Sequence, residues 1–266
     1  MITRNILGRF CLLAALLLGS LSCGDKETAD KPSGSKYPTP PEGVFSPSGR
    51  IYLAGDSLVQ PYGEDKRPQC GWGEKLRDFL DRITYGKLPV VYNKAHGGTS
   101  TKSYREIGYW NSLLQLIREN DLVLIQFTAN DQVSSKEDRY VPIEQFGPNL
   151  TNMVNDVKRR KGVPVLLTSP VQCNFNSSGQ AVRPYGQYPV TVRAVAAETD
   201  TYLIDAENLT VDWLNSLGKD AAKSYYMVGY NNTDITHFSV DGATAVAGMI
   251  AASMKAQGIW PQPEEQ

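Results

Sequence analysis

The fold of this chain is decided by an apolar run, Leu122-Val123-Leu124-Ile125-Gln126-Phe127, followed at once by Thr128-Ala129-Asn130-Asp131. Five of the six residues in the run are apolar, and the run is too short for a helix of ordinary length. It therefore predicts a strand that is buried on both faces, as the strands of a parallel sheet are. The polar residues that follow it would lie at the carboxyl end of that strand.

Similar apolar runs on either side predict four more strands, and helical patterns separate them. The strands are predicted at 51–54, 90–92, 163–167 and 202–204, and the helices at 73–81, 109–118, 143–160 and 241–256. Alternation of this kind favours a parallel sheet covered on both faces. We therefore predict an α/β fold: one three-layer α/β/α, doubly wound (flavodoxin-like) domain over residues 49–261, with a parallel five-stranded sheet. Such domains bind ligands at the carboxyl edge of the sheet.

Residues 1–22 have the composition of a targeting segment. Two arginines precede the apolar run 11–18, which is too short to be a good transmembrane helix. The sequence Ser20-Leu21-Ser22-Cys23 resembles a lipobox, which predicts a lipoprotein signal peptide and lipidation of Cys23. An ordinary signal peptide cut near Ser22 is the alternative.

The segment 23–48 is polar and rich in proline, so it cannot bury enough apolar surface to fold. We interpret it as a flexible tether between a membrane and the folded domain. These features predict an exported bacterial lipoprotein of the outer membrane, on its periplasmic or surface face, held to the membrane through a lipid anchor. The domain itself is expected to be a monomer.

Charge and composition argue against several classes of partner. Lys and Arg number 27 against 28 Asp and Glu, and no basic run suggests a nucleic-acid surface. With two histidines and no close Cys/His cluster, no metal site is predicted. No glycine-rich phosphate loop has the right spacing, so no nucleotide or flavin cofactor is expected. Cys70 and Cys173 can either pair, which export favours, or remain two buried thiols.

Two motifs near the ends of the domain suggest nucleophilic catalysis. Gly55-Asp56-Ser57 follows the first strand, although this tripeptide alone is also typical of a turn or a helix N-cap. A serine nucleophile needs a base, and Asp234-Ile235-Thr236-His237 offers a histidine with a carboxylate three residues earlier to fix its tautomer. The only other histidine, His96, has no Asp or Glu within a few residues, so we interpret it as a cleft-wall or turn residue.

Two further motifs could supply hydrogen-bond donors to an oxyanion. The Asn130 amide follows the strand predicted at 122–127, and such a donor typically contributes about 3 kcal/mol. The N–H of Gly98 follows the second strand and is unobstructed by a side chain. Each motif is a common turn by itself. Together with Ser57 and His237, however, they follow different elements of one predicted sheet, and the combination indicates a site for nucleophilic catalysis by a serine at its carboxyl edge.

On these motifs the chain resembles the SGNH (GDSL) hydrolase superfamily, whose four blocks carry Ser, Gly, Asn and His. A closer resemblance is to its rhamnogalacturonan acetylesterase-like branch. The stretches that carry it are 51–60, 71–73, 93–100 and 125–131. The resemblance covers most of the chain, from Ile51 to Ala251.

The resemblance implies a role for each residue of the site. Ser57 would be the nucleophile of a triad with Asp234 and His237. The N–H of Ser57, the N–H of Gly98 and the side chain of Asn130 would form the oxyanion hole. The implied reaction removes O-acetyl groups from a plant cell-wall polysaccharide, rhamnogalacturonan or pectin-like, through an acyl-enzyme and without a cofactor.

Three positions depart from the pattern of that branch. Thr128-Ala129 replaces Gly-His, Thr99 replaces Arg, and the segment 169–175 has no Arg pair. Because Arg pairs bind carboxylates bidentately, the last departure argues against an acidic, uronate-bearing substrate. Two alternatives stay open: an SGNH lipase or thioesterase acting on other acyl esters, and a non-catalytic glycan-binding surface lipoprotein.

Overall fold

Five parallel strands form the centre of the computed structural model, which describes residues 48–80, 89–230 and 232–260. The strands are β1 (Arg50–Gly55), β2 (Val90–Asn93), β3 (Leu122–Gln126), β4 (Val163–Leu167) and β5 (Tyr202–Ile204). Their order in the sheet is β2-β1-β3-β4-β5, and every neighbouring pair is parallel. This flavodoxin-like order places a crevice at the carboxyl ends of β1 and β3, where the winding of the chain reverses. The predicted fold class is confirmed.

Helices cover both faces of the sheet. They are α1 (Ser103–Glu106), α2 (Tyr109–Leu114), α3 (Ile143–Arg159), α4 (Tyr188–Glu198), α5 (Ala206–Leu217), α6 (Lys219–Ala222) and α7 (Val240–Ala256). Short 3-10 segments lie at Glu64–Lys66, Trp72–Glu74, Leu76–Phe79, Lys223–Tyr225 and Met227–Gly229. Within the described ranges, none of these helices has the length and apolar character needed to cross a bilayer.

Successive strand residues point into two separate hydrophobic cores. On one face, Leu53 and Leu124 pack with α5, α7 and the 3-10 segments that follow β1. On the other face, Ala54 and Ile125 pack with α2, α3 and α4. Both faces of the strands are thus removed from water, which explains why the strand sequences are continuous apolar runs instead of alternating ones.

Several predicted elements differ from the observed ones. The helix predicted at 73–81 is replaced by two 3-10 segments, because this stretch is held by tertiary contacts: a Cβ at Gly73 would lie 2.5 Å from the Val59 carbonyl oxygen. The helix predicted at 109–118 ends at Leu114. At the end of the predicted range, the Asp121 carboxylate accepts a hydrogen bond from the Arg118 N–H at 2.8 Å. This local bond competes with helix formation.

The helices α1, α4, α5 and α6 were not predicted. The first turns of α4 contain Val190, Thr191 and Val192, whose branched side chains favour strands by propensity; Val192 is buried in the core, whereas Val190 is exposed. Apart from Ser48, the predicted signal peptide (1–22) and tether (23–48), with the lipidation site Cys23, lie outside the described residues.

Candidate active site

The turn that follows β1 presents Ser57. The main-chain carbonyl of Asp56 accepts hydrogen bonds from the N–H groups of Val59 and Gln60, both at 3.1 Å. Since the N–H and C=O of a trans peptide point in opposite directions, these bonds turn the Ser57 N–H away from the helix-like turn. The hydroxyl of Tyr62 donates to the Ser57 carbonyl at 2.9 Å and braces the turn from the other side.

The position before this turn, Gly55, has no room for a side chain. A Cβ at Gly55 would lie 2.8 Å from the carbonyl oxygen of Gln126 on the neighbouring strand and 2.6 Å from a Val59 methyl group. Glycine is therefore required by close approach of β1 and β3, a stronger reason than the turn conformation that the sequence suggests.

Ser57, His237 and Asp234 form one chain of hydrogen bonds. The Ser57 Oγ lies 2.9 Å from His237 Nε2, and His237 Nδ1 lies 2.6 Å from Asp234 Oδ2. The other carboxylate oxygen, Oδ1, accepts the main-chain N–H groups of Thr236 at 2.8 Å and His237 at 3.0 Å. Burial acts to raise the pKa of Asp234, but the hydrogen bonds from His237 and Thr236 lower it below its ordinary value. An ionised carboxylate therefore orients the imidazole towards the serine.

The segment that carries His237 is held by main-chain hydrogen bonds from three other parts of the chain. The N–H groups of Cys70, Cys173 and Met227 donate to carbonyls within residues 235–238, at 2.8–3.1 Å. The Gln172 side chain adds a bond to the Thr236 hydroxyl at 2.9 Å. Both cysteine thiols are buried and free, so this structure contains no disulfide between them.

The Gly98 turn is tied to the Ser57 turn. The Gly97 N–H donates to the Gln60 side-chain oxygen at 2.5 Å, and the His96 N–H donates to the Gly55 carbonyl at 2.9 Å. Gly98 itself has φ of +77°, a conformation that favours glycine. The turn thus lies at the carboxyl end of β1, as the predicted parallel arrangement requires.

Asn130 reaches the same turn from the end of β3. Its Nδ2 donates to the Thr99 carbonyl at 2.9 Å, which leaves a second N–H on that nitrogen. Arg139, which the motifs did not indicate, donates from Nη1 to the Asn130 Oδ1 at 3.3 Å and to the Gly98 carbonyl at 3.2 Å. One guanidinium therefore contacts both residues that the sequence assigns to the oxyanion hole besides Ser57.

Two buried carboxyl groups support the turns that carry Ser57 and Asn130. Asp56 Oδ1 accepts the Leu58 N–H at 2.9 Å, and Asp131 Oδ1 accepts the N–H and hydroxyl of Thr101 at 2.9 and 2.6 Å. Burial raises the pKa of Asp56 to about 7 and that of Asp131 to about 6. Both groups are placed to hold backbone rather than to contact a substrate.

His96 is an exposed residue of the turn that precedes Gly98. Its ring stacks on Tyr109 with the centroids 3.7 Å apart and the planes 4° apart. Burial, and then Lys94, lower the pKa of this imidazole. Of the two histidines, it is His237 that contacts the Ser57 hydroxyl.

No group of three or more His, Cys, Asp or Glu side chains in the described parts of the chain is arranged to hold a metal ion. What the site offers is a serine, an imidazole oriented by a carboxylate, and N–H donors at the ends of β1, β2 and β3. These are the groups that acyl transfer through a covalent intermediate requires.

Comparisons with known proteins agree with this chemistry. The model of the GDSL-like lipase/acylhydrolase family matches residues 53–245, well over half of the chain. A probable rhamnogalacturonan acetylesterase of Bacillus subtilis is 31% identical over 213 residues, which cover 80% of this chain and 95% of that protein. A second rhamnogalacturonan acetylesterase of Bacillus subtilis is 30% identical over 220 residues, 79% of this chain and 91% of the relative.

Solved structures extend the comparison to the fold. The crystal structure of the YXIM protein of Bacillus subtilis superposes with a TM-score of 0.70 at 28% identity, over 79% of this chain and 57% of that one. An acetylxylan esterase of Geobacillus stearothermophilus shares the fold, with a TM-score of 0.57 at 17% identity over 81% of this chain and 96% of that one. The chain is therefore a carboxylic ester hydrolase that belongs to the GDSL-like lipase/acylhydrolase (SGNH hydrolase) family, in its rhamnogalacturonan acetylesterase-like branch.

Proposed function

We propose that this enzyme removes O-acetyl groups from a plant cell-wall polysaccharide of the rhamnogalacturonan or pectin type, through an acetyl-enzyme on Ser57. The observation that carries the proposal is the hydrogen-bonded chain Ser57–His237–Asp234, with links of 2.9 and 2.6 Å. The substrate class follows the two relatives of about 30% identity, both named rhamnogalacturonan acetylesterases.

In the first half-reaction the Ser57 Oγ attacks the acetyl carbonyl carbon while His237 Nε2 takes the hydroxyl proton. The ionised Asp234 stabilises the imidazolium that forms. Negative charge then develops on the acetyl oxygen, where the N–H groups of Ser57 and Gly98 and the Asn130 amide act as donors, each typically worth about 3 kcal/mol.

The tetrahedral intermediate collapses when the bond between the acetyl carbon and the sugar oxygen breaks. His237 returns its proton to that oxygen, so the sugar leaves as an alcohol and the acetyl group remains on Ser57. In the second half-reaction water attacks the ester and His237 takes one of its protons. The Ser57 Oγ then leaves with that proton, and acetic acid departs and loses its remaining acidic proton to solvent.

We also propose that the enzyme works as an exported, lipid-anchored monomer of the outer membrane. The support is in the sequence, where Cys23 follows an apolar run and precedes a polar tether. Replacing Cys23 by Ser is expected to move the enzyme from the membrane fraction of its host to a soluble fraction. Unchanged membrane association of that variant would contradict the anchor.

Replacement of Ser57 by Ala tests the catalytic proposal. Acetate release from acetylated rhamnogalacturonan, and p-nitrophenol release from p-nitrophenyl acetate, are expected to fall by at least about a thousandfold, because the nucleophile is lost. Ser112→Ala, on an exposed helix position, is the matched control and keeps the wild-type rate. A Ser57→Ala variant that still turns over either ester would overturn the assignment.

The same assays separate the alternatives. A lipase or thioesterase of this fold would hydrolyse octanoyl esters faster than acetyl esters, since a short-acyl site has no slot for a long chain. A glycan-binding protein without activity would retain polysaccharide yet fail to react with a fluorophosphonate serine probe. We expect preference for acetyl esters and labelling of the wild-type enzyme that Ser57→Ala abolishes.

A further inference from the structure

A groove of about 640 Å³ lies on the carboxyl side of the sheet. One wall comes from the loop after β3, with Gln132 and Tyr140, and the other from the segment that leads into α4, with Gln187 and Tyr188. The volume falls within the roughly 300–1,000 Å³ of typical small-molecule sites. It is enough to hold part of a chain substrate.

The groove lies beside the turn that carries Asn130, because the Val141 N–H, in the loop that forms one groove wall, donates to the Asp131 carbonyl at 2.9 Å. Gln132 stands two residues after Asn130, and Tyr140 directly follows Arg139, whose guanidinium contacts both Asn130 and Gly98. A sugar whose acetyl group lies at Ser57 would therefore have its neighbouring unit directed along these residues. The groove is not part of the triad or of the donors described above.

The lining has the chemistry that recognises sugars. Gln132 and Gln187 offer side-chain amides that can both donate to and accept from hydroxyl groups. Tyr140 is half-buried and offers part of its ring to the groove, whereas Tyr188 is fixed by an edge contact with Phe146 and by its hydroxyl, which donates to the Val141 carbonyl at 2.7 Å. Pyranose rings present the complementary combination of apolar C–H faces and peripheral hydroxyl groups.

The charge of the lining limits the kind of sugar. Among the described residues that line the groove, Glu144 is the one charged side chain, and neither Lys nor Arg occurs. Proteins bind carboxylates chiefly with Arg and Lys donors, whereas a carboxylate beside a second one is disfavoured. A uronate would therefore meet repulsion here, and a neutral sugar would not.

We propose that this groove is a subsite for a neutral glycosyl unit next to the acetylated sugar. The inference rests on the proposed function, and it narrows the substrate to polymers in which a neutral unit adjoins the acetylated one. Xylan-type chains and chains that alternate a uronate with a neutral sugar meet this condition. A polymer with a carboxylate on every unit does not.

Substitution of the lining tests the contact. In Tyr140→Ala and Gln132→Ala, we expect the ratio of kcat/KM for an acetylated xylo-oligosaccharide to kcat/KM for p-nitrophenyl acetate to fall about five- to tenfold, because the small ester does not reach the groove. The ratio cancels any loss of folded enzyme. Tyr92→Ala, an exposed tyrosine on the edge strand β2, is the matched control and keeps the wild-type ratio.

Reversal of the charge tests the selectivity. In Glu144→Lys, kcat/KM for acetylated polygalacturonate relative to the acetylated xylo-oligosaccharide is expected to rise about two- to fivefold at low salt, the scale of an exposed charge pair, and the gain should fade at high salt. Glu119→Lys makes the same charge change at the amino end of β3 and should leave the relative rates unaltered.

The outcomes are separable from those of the proposed function. Wild-type enzyme inactive on every acetyl ester would overturn the proposed function itself. Enzyme that is active on p-nitrophenyl acetate, but whose ratios do not respond to the Tyr140, Gln132 and Glu144 changes, would overturn the groove alone. A wild-type preference for acetylated polygalacturonate over both the acetylated xylo-oligosaccharide and acetylated rhamnogalacturonan would also overturn the groove proposal.

Discussion

At the scale of single residues, Arg139 determines how Asn130 can act. A guanidinium only donates hydrogen bonds, so the side-chain atom of Asn130 that faces it must be the oxygen. The nitrogen is then the atom that donates to the Thr99 carbonyl and keeps a second N–H for an oxyanion. Arg139 is in this sense a positioning residue that works through Asn130, and its positive charge lies close to the charge that develops in the reaction.

We expect Arg139→Gln to lower kcat for p-nitrophenyl acetate about ten- to a hundredfold with KM changed less than about twofold, since the loss falls on the transition state. Arg139→Lys should recover part of the rate. The decisive measurement is a double-mutant cycle: in an Asn130→Ala background the same Arg139→Gln change should have little further effect.

Arg50→Gln is the matched control for that cycle. Its side chain is about as exposed as that of Arg139, 24% against 26%, but it pairs with Asp121 at the amino end of the sheet. We expect a change in the free energy of unfolding for Arg50→Gln with kcat retained. Fully additive effects of the Arg139 and Asn130 changes would show that Arg139 does not act through the amide.

The sequence named five residues of the candidate site but not Arg139. The five lie in short local patterns, whereas Arg139 does not. Asp234 and His237 are three residues apart, and Ser57, Gly98 and Asn130 each follow a strand, so short patterns reveal them. Arg139 lies in a loop, and its contact with Gly98 spans 41 positions. No periodicity or turn signal encodes such a contact, because it depends on how the loop closes over the sheet edge.

At the scale of elements, the start of α7 fixes the end of the segment that carries His237. Ser239 caps the helix: its Oγ accepts the Gly242 N–H at 3.3 Å and donates to the Ser224 carbonyl at 2.9 Å. The cap is fully buried, so loss of its hydroxyl leaves polar backbone groups without a partner.

For Ser239→Ala we expect a loss of about 1–2 kcal/mol in the free energy of unfolding, measured with urea, together with a smaller kcat because the adjoining catalytic segment loosens. Ser216→Ala, at an exposed position of α5, removes a helix hydroxyl without a capping role and should change neither quantity appreciably. Equal stability of the two variants would argue against the cap.

The limits of the strands and of the long helices could be predicted from the sequence, but those of the 3-10 segments could not. All five strands lie within one residue of their predicted limits, because a strand buried on both faces must be continuously apolar. The long helices α3 and α7 are equally well predicted. The 3-10 segments after β1 could not be, since Trp72 is held there by a hydrogen bond to the Gln126 side chain, 54 positions away, at 2.7 Å.

At the scale of the whole molecule, the buried carboxyl of Asp56 makes stability depend on pH. Burial raises its pKa from 3.8 to about 7, so between these values the folded enzyme holds a proton that the unfolded chain releases. The resulting stabilisation is fully present below about pH 4 and is lost as the pH rises through about 7. The buried carboxyl of Asp131, with its pKa raised to about 6, also lowers stability as the pH rises, over a lower pH range.

Asp56→Asn removes this titration while it keeps an oxygen for the Leu58 N–H. Relative to wild type, the variant is expected to gain roughly 2–3 kcal/mol in the free energy of unfolding between pH 5 and pH 8, as followed by urea denaturation. Asp65→Asn, at an exposed position, is the control and should follow the wild-type curve. A difference between Asp56→Asn and wild type that does not grow with pH would contradict the buried proton.

The contact between Ser57 and His237 joins residues that are 180 positions apart. Under the proposed mechanism, a chain that has folded only as far as β4 holds the serine and the oxyanion donors but lacks His237, the base that activates the serine. Hydrolysis therefore begins only when the last segment docks onto Cys70, Cys173 and Met227. The return of esterase activity during refolding is therefore expected to report the final step of assembly, and earlier intermediates are expected to be inactive.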